Sequence, residues 1–112
     1  MERPLFSIVI PTYNRQDLVP YAIQSVLWQT FDNYEIIVCD NFSTDNTFAV
    51  VNQFKNSRIK YLRTPQHFVI ADSFEYARKH AKGKLILMMS DDDALVPGAL
   101  ESFYKEYRQH DA

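Results

Sequence analysis

The sequence predicts an α/β protein with a doubly wound, mainly parallel sheet of about four strands and flanking helices. Four short apolar runs of strand length alternate with four segments in which apolar residues recur at helical spacing. Because each strand is followed by a helix, the connections must be crossovers, which are right-handed in nearly all parallel sheets. The 112 residues, of which 46% are hydrophobic, suffice for a single domain.

The predicted strands are short apolar runs. The first is closed by Pro11, the second ("YEIIVCD") ends on Asp40, and the fourth ("KLILMM") leads into three aspartates. Continuous apolar runs are typical of strands buried on both faces, whereas the alternating third run indicates a more exposed strand. The predicted ranges are 5–10, 34–40, 58–62 and 84–89.

The helices are predicted from apolar residues at three-four spacing and from capping signals. Asn14 can cap a first turn of the first helix, and Ser43 or Thr44 is the expected N-cap of the second. We expect Gly83 to terminate the third helix and Pro97 to open the fourth. The residues predicted to face the core are Leu18, Val19, Ala22, Ile23, Val26, Leu27, Phe48, Val51, Phe54, Ala71, Phe74, Ala77, Ala81, Leu100, Phe103, Tyr104 and Tyr107.

Composition narrows the class of protein. A net charge of -2 provides no basic field for nucleic acid. Cys39 is the only cysteine, so an intrachain disulfide is impossible and a reducing compartment is favoured. The sequence shows no signal peptide, and no apolar stretch approaches the roughly 20 residues of a membrane span. We therefore expect a cytoplasmic domain, which a longer protein could hold at the inner face of a membrane.

Polar clusters follow three of the strands: "PTYN" after the first, "DNFST" after the second and "SDDD" after the fourth. Ligands of such sheets bind outside the carboxyl ends of the strands, where the topology brings these clusters to one edge. Gly83 and Gly98 are the only glycines, so the chain can build neither a G-x-G-x-x-G loop nor a G-x-x-x-x-G-K-[ST] loop to bind phosphate. Aspartates 91–93 can instead hold Mg²⁺ or Mn²⁺, which bridges to a diphosphate, and Arg63 is a further candidate phosphate ligand.

Each candidate residue also has a purely structural interpretation. Asp40 can accept a hydrogen bond from the imide N–H of a nucleobase, since the residues after it are better placed to cap the next helix. Tyr13 suits either stacking on a base or ribose or packing within a turn. Thr12 and Asn14 are equally well explained by turn chemistry. Aspartates 91–93 could form a solvated loop near a helix N-terminus, where a charge gains only about 0.3–1 kcal/mol, which accounts for one or two of them.

Three stretches together resemble the N-terminal, nucleotide-sugar-binding half of a family 2 glycosyltransferase with the GT-A fold. They are "FSIVIPTYNR", "SVLWQTFDNYEIIVCDNFSTDNT" and "HAKGKLILMMSDDDALVPGAL", in this order. The resemblance implies an inverting, hexosyltransferase-type enzyme that moves a sugar from a nucleoside diphosphate to a saccharide or lipid-linked acceptor. It favours a UDP-sugar as the donor and polysaccharide biosynthesis as the setting.

The resemblance also implies roles for individual residues. Asp92 corresponds to the main metal-contacting aspartate of the D-x-D motif, Asp91 to a partner near the ribose or metal, and Asp93 is a third candidate ligand of Mg²⁺ or Mn²⁺. Two positions depart from the family pattern, with Phe42 in place of a glycine and Ser90 in place of the first aspartate. The residues implied to bind the nucleotide sugar are Pro11, Thr12, Tyr13, Asp40 and Asp91.

Members of the resembled family continue past the aspartates with an acceptor-binding half, which carries the general base. The resemblance therefore implies that both lie outside these 112 residues. We therefore interpret residues 1–112 as the donor-binding part of a GT-A domain, a fragment that binds nucleotide weakly and does not turn over alone. A catalytically inactive module that binds a nucleotide or a partner on the same fold is the alternative. Oligomeric state stays open, with self-association through uncovered apolar surface as one outcome.

Other enzymes and modules on similar sheets fit less well. A nucleotidyltransferase would usually need a glycine-rich loop after the first strand, and a dehalogenase-like phosphatase would need aspartates there. A phosphorylation receiver domain would need a fifth strand carrying a lysine. The chain instead has "PTYN" after its first strand and ends at its fourth predicted helix.

Overall fold

A computed structural model describes residues 3–110. In this range four strands alternate with four helices. The strands are β1 (Phe6–Thr12), β2 (Tyr34–Asp40), β3 (Ile59–Arg63) and β4 (Leu85–Met88), and the helices are α1 (Val19–Leu27), α2 (Thr47–Asn52), α3 (Ile70–Arg78) and α4 (Ala99–His110). The strands pair in parallel in the order β3-β2-β1-β4. The predicted α/β class with a four-stranded parallel sheet is therefore confirmed.

The central strands β1 and β2 are covered on both faces by helices. Ile8 and Ile10 of β1 pack with Ile23 of α1 in the larger apolar layer. Val9, the residue between them, packs with Ala77 of α3 in the smaller layer on the opposite face. This alternation follows from the two-residue period of a strand, and each large apolar side chain buried this way contributes roughly 1.5–3 kcal/mol.

Strand β4 lies at the edge of the sheet and is covered on one face. Leu85 and Leu87 pack into the larger layer, whereas Ile86 and Met88 on the other face are 41% and 52% exposed. The prediction that this strand is buried is therefore wrong. The reason is that α3 packs against β1 and β2.

Gly83 has a different role from the predicted helix terminator, because α3 already ends at Arg78. A Cβ atom at Gly83 would lie 2.6 Å from the backbone nitrogen of Ser7 and 2.7 Å from the carbonyl carbon of Phe6. Glycine is required here because the start of β4 passes very close to β1.

The predicted N-caps are also wrong. Leu18 and Asn46 occupy the N-cap positions of α1 and α2, and neither makes a side-chain cap bond. Asn14 adopts a left-handed conformation (φ 52°), and its amide oxygen accepts a hydrogen bond from the Thr44 N–H at 2.8 Å. It thereby connects the β1 and β2 loops. The residues predicted to face the core that the structure leaves exposed are Leu18, Phe48, Ala71 and Phe103.

The helices of the described range are short. The longest, α4, has 12 residues. Across residues 3–110, none combines the length and the hydropathy that crossing a membrane requires.

Candidate functional site

A cavity of about 460 Å³ lies at the carboxyl edge of the sheet. The structure brings the loops after β1, β2 and β4 together there, and the start of α3 forms one wall. The lining residues are Pro11, Thr12, Tyr13, Arg15, Asn41, Ile70, Ser73, Met88, Met89, Ser90 and Asp91. Of the residues predicted to bind a nucleotide sugar, the cavity is therefore lined by Pro11, Thr12, Tyr13 and Asp91.

Asp91 is positioned by strand β1. The Thr12 hydroxyl donates a hydrogen bond to Asp91 Oδ2 at 2.9 Å, and the two residues are only 3% and 8% exposed. The neighbouring Met89 N–H donates to the Val9 carbonyl at 2.9 Å, so the backbone of the aspartate loop leaves the sheet in register with β1. The carboxylate of Asp91 is thus presented to the cavity by contacts that span 79 residues of sequence.

Asp92 is exposed, with Ser90 hydrogen-bonded to one of its carboxylate oxygens and Arg15 near the other. The Ser90 hydroxyl donates a hydrogen bond to Asp92 Oδ1 at 2.6 Å, and Arg15 Nη1 lies 4.0 Å from Asp92 Oδ2. The hydrogen bond from Ser90, assisted by the charge of Arg15, lowers the pKa of the Asp92 carboxyl. Asp92 is therefore ionised at neutral pH and suited to a cation.

The aspartate run does not form a closed metal cage. Between residues 3 and 110, no three or more His, Cys, Asp or Glu side chains converge as metal ligands, and neither Asp92 nor Asp93 is among the residues that line the cavity. Asp92 lies 4.0 Å from Arg15, which does line it. The adjacent carboxylates of Asp91 and Asp92 do fit a Mg²⁺ or Mn²⁺ ion of the nucleotide type. Such an ion uses one or two protein carboxylates and takes its other ligands from phosphates and water.

Asp40 lies beside the cavity but is fully buried. Its Oδ1 accepts a hydrogen bond from the Ser43 N–H at 2.9 Å, and its Oδ2 accepts one from the Tyr61 hydroxyl and lies 3.6 Å from Arg63 Nη1. Burial and the Asp40 carboxylate raise the pKa of Tyr61 to about 12. Asp40 thereby connects β2 to β3, and its contact with a nucleobase stays a prediction.

Arg63 is likewise engaged at this edge. Its Nη1 donates to the Ser43 carbonyl at 2.9 Å, and its guanidinium lies 4.4 Å from the centre of the Phe42 ring. Together with the ion pair to Asp40, these contacts hold the side chain of Arg63, which the sequence offered as a candidate phosphate ligand.

Asn41, which the sequence-based prediction missed, lines the cavity directly after Asp40 in the chain. Its Nδ2 donates to the Phe68 carbonyl at 2.7 Å, and its Oδ1 accepts from the Phe68 N–H at 2.8 Å. The Thr64 hydroxyl donates to the same oxygen at 3.2 Å. Asn41 therefore fixes the segment that leads into α3. A signal was available, since residues that follow one another at a strand end face opposite sides.

Tyr13 provides an aromatic surface at the rim. Tyr13 is 44% exposed, and its ring meets the ring of His67 edge to face, with 4.6 Å between centroids. The pair joins the β1 loop to the segment held by Asn41. An exposed, supported ring of this kind can stack on a planar ligand.

Residues 7–112 match the family described as Glycosyl transferase family 2. The chain belongs to this family. A UDP-Glc:alpha-D-GlcNAc-diphosphoundecaprenol beta-1,3-glucosyltransferase of Escherichia coli is 39% identical over 101 residues, which cover 90% of this chain and 40% of that protein. A hyaluronan synthase of Pasteurella multocida is 37% identical over 106 residues, which cover 93% of this chain and 11% of the synthase.

Solved structures share the fold of this family 2 chain. Staphylococcus aureus TarS 1-349 in complex with UDP-GlcNAc superposes with a TM-score of 0.90 at 25% identity, over 96% of this chain and 32% of TarS 1-349. The mannosyltransferase PcManGT of Pyrobaculum calidifontis, in complex with GDP-Man and Mn²⁺, superposes with a TM-score of 0.76 at 23% identity, over 84% and 29% of the two chains. The family 2 chain thus spans 40% or less of the length of each of these four proteins.

Proposed function

We propose that this family 2 chain binds a nucleoside-diphosphate sugar in the cavity at the carboxyl edge of its sheet. The proposed reaction is inverting transfer of a hexose from a UDP-sugar to a saccharide or lipid-linked acceptor. The observation that carries the proposal is the Thr12–Asp91 hydrogen bond, which presents an acidic residue to a cavity flanked by an exposed aromatic ring. The names of the relatives support it, since the Escherichia coli enzyme uses UDP-Glc and a diphosphoundecaprenol-linked sugar.

In the proposed site the residues of the β1 loop hold the nucleoside. The Tyr13 ring stacks on the base, and Pro11 packs beside it. Asp91 offers Oδ1 to the ribose or to the cation, because its Oδ2 already accepts the hydrogen bond from Thr12. These assignments use the residues that line the cavity, and the contact of Asp40 with the base stays a prediction.

Asp92, together with Asp91, is proposed to hold Mg²⁺ or Mn²⁺ against the diphosphate. A bound divalent cation neutralises charge on the diphosphate and so makes it a better leaving group. The protein contributes an ionised carboxylate, oriented by Ser90. Asp93 has no assigned role in this arrangement.

Residues 1–112 are proposed to act as the donor-binding part of a GT-A domain. The support is that they correspond to 40% of the Escherichia coli enzyme and 32% of TarS 1-349. Acceptor binding and the general base are assigned to the remainder of such a domain. The cytoplasmic location and the self-association expected from the sequence stay predictions.

Calorimetry of the 112-residue chain with UDP-, GDP- and dTDP-sugars, with and without Mn²⁺, tests the proposal. We expect binding of a UDP-sugar that requires Mn²⁺ and that weakens at least about tenfold in Asp92→Asn, since a charged ligand of the cation is lost. Asp93→Asn is the matched control and should bind like the wild type. Nucleotide binding that is independent of Mn²⁺ would instead support an inactive nucleotide-binding module. Sugar transfer by the 112-residue chain alone would refute its assignment as the donor-binding part.

A further inference from the structure

Arg15 lies between the two aspartates to which the proposed function assigns the cation. Its Nη1 is 3.9 Å from Asp91 Oδ1 and 4.0 Å from Asp92 Oδ2. Both distances exceed the roughly 2.7–3.2 Å of an N–H···O hydrogen bond, so the guanidinium faces both carboxylates without being bonded to either. Its side chain is 47% exposed and lines the cavity.

This placement means that a divalent cation and Arg15 would be attracted to the same two carboxylates. Like charges a few ångströms apart repel, and the repulsion is stronger when one of them is divalent. Because Arg15 is not hydrogen-bonded to either aspartate and is half exposed, its long side chain can move without breaking a buried contact. A cation held by Asp91 and Asp92 would therefore displace the guanidinium, which could then bind an anion of the ligand.

A diphosphate would be such an anion. Guanidinium groups bind phosphate oxygens through paired, charge-assisted hydrogen bonds, which are stronger than a loose surface ion pair. Arg15 stands on the β1 loop two residues after Tyr13, so the ring proposed to hold the base and the guanidinium share one short segment. The same loop could thus contact both ends of the nucleotide.

We propose that Arg15 is the counter-charge of the Asp91–Asp92 pair in the absence of a cation and binds a donor phosphate once the cation is present. The inference rests on the proposed function. It requires that Arg15 oppose binding of the cation alone and favour binding of the nucleotide with the cation. An incidental surface ion pair would oppose the cation through its charge alone, but it would not favour binding of the nucleotide with the cation.

The test measures these two affinities separately in Arg15→Ala, Arg15→Lys and wild type. Free Mn²⁺ is titrated by electron paramagnetic resonance without nucleotide, and UDP is titrated by calorimetry at saturating Mn²⁺. We expect Arg15→Ala to bind Mn²⁺ alone roughly three- to tenfold more tightly, because a nearby positive charge is removed. We expect it to bind UDP roughly tenfold more weakly, because a charge-assisted phosphate contact is lost.

Two further variants make the result specific. Arg15→Lys keeps the positive charge but lacks the planar guanidinium with its paired donors. It should therefore bind Mn²⁺ alone like the wild type, and its UDP affinity should lie between those of Arg15→Ala and wild type. Arg108→Ala removes a positive charge from α4, outside the cavity lining, and should change neither affinity. Thermal melts of all variants show whether each one is folded before its affinities are compared.

The outcomes separate this inference from the function on which it rests. If wild type shows no Mn²⁺-dependent UDP binding, the proposed function fails and this inference fails with it. If wild type binds UDP with Mn²⁺ but Arg15→Ala leaves either affinity unchanged, or shifts both in the same direction, only the role of Arg15 is refuted.

Discussion

The hydroxyl of Thr12 donates a 2.9 Å hydrogen bond to the carboxylate of Asp91, and this contact connects the end of β1 to the loop after β4. Both residues are almost completely buried. A hydrogen bond to a charged group typically contributes about 1.5–3 kcal/mol, more than a neutral one. The position of the acidic side chain in the cavity is therefore set by the central strand of the sheet as well as by its own loop.

Replacing Thr12 by valine should disturb both the fold and the site. The change keeps the shape of the side chain and leaves Asp91 without its donor, so we expect a loss of roughly 1–3 kcal/mol in the free energy of unfolding. Nucleotide affinity in the presence of Mn²⁺ should fall as well. Urea unfolding and calorimetry measure the two effects. Thr12→Ser keeps the hydroxyl and is the control, and equal behaviour of the two variants would contradict the assigned role.

The role of Asn41 in holding the segment before α3 can be tested by changing its amide to a carboxylate. In Asn41→Asp the donor to the Phe68 carbonyl is replaced by an acceptor, so a carboxylate oxygen would face a carbonyl oxygen now 2.7 Å from Nδ2. We expect a loss of roughly 1–3 kcal/mol in unfolding free energy, as for other buried groups left without partners. Hydrogen exchange at the Phe68 amide should accelerate, because the segment before α3 loosens.

The control for this change is Asn52→Asp, which adds the same charge to an exposed residue at the end of α2. It should leave exchange at Phe68 unchanged. If Asn41→Asp also leaves that exchange unchanged, Asn41 does not hold the segment in the way that the hydrogen bonds indicate.

The end of β2 shows which features the sequence predicts and which it misses. Strand β2 was predicted with its observed bounds, because its apolar run and its polar end are local signals. The hydrogen bond between Tyr61 and Asp40 could not be predicted, because Tyr61 belongs to β3 and approaches Asp40 only in the folded sheet. Gly83 was misassigned for a similar reason, since its closest contacts belong to β1, more than 70 residues earlier. Contacts of that range leave no local pattern.

Phe42 stands in a left-handed conformation, with φ of 67°, which explains why the family pattern has glycine there. For a side chain other than glycine this conformation costs about 1–2 kcal/mol. Phe42→Gly removes that cost, but it loses the contact with Arg63, worth about 0.5–1 kcal/mol, and adds chain entropy of about 0.5–1 kcal/mol. We therefore expect the free energy of unfolding of Phe42→Gly, measured in urea, to lie within about 1 kcal/mol of the wild-type value.

The comparison with Phe42→Ala isolates the backbone cost. Alanine loses the contact with Arg63 and keeps the left-handed conformation, so Phe42→Ala should be less stable than Phe42→Gly by roughly 1 kcal/mol. An alanine variant as stable as the glycine variant would mean that the loop relaxes out of this conformation.

Glu35 at the start of β2 should make stability depend on pH. Its carboxylate is nearly buried, pairs with Lys60 at 2.7 Å, and accepts hydrogen bonds from the Ser7 hydroxyl and the Lys82 N–H. Burial acts to raise the pKa of Glu35, but the bonds from Lys60, Ser7 and Lys82 outweigh it and lower the pKa below its ordinary value of 4.5. The stabilising contribution is therefore complete above about pH 5 and is lost as the pH falls through the lowered pKa.

In Glu35→Gln this contribution is absent at every pH, so the variant should be less stable than wild type by roughly 1–3 kcal/mol at pH 7. The difference between the two proteins should shrink below pH 4.5, where the wild-type carboxylate becomes protonated. Urea unfolding from pH 3 to pH 7 measures both curves, with Glu106→Gln on the exposed surface of α4 as the control. Curves for Glu35→Gln and wild type that stay parallel over this range would show that the Glu35 carboxylate is not stabilised by folding.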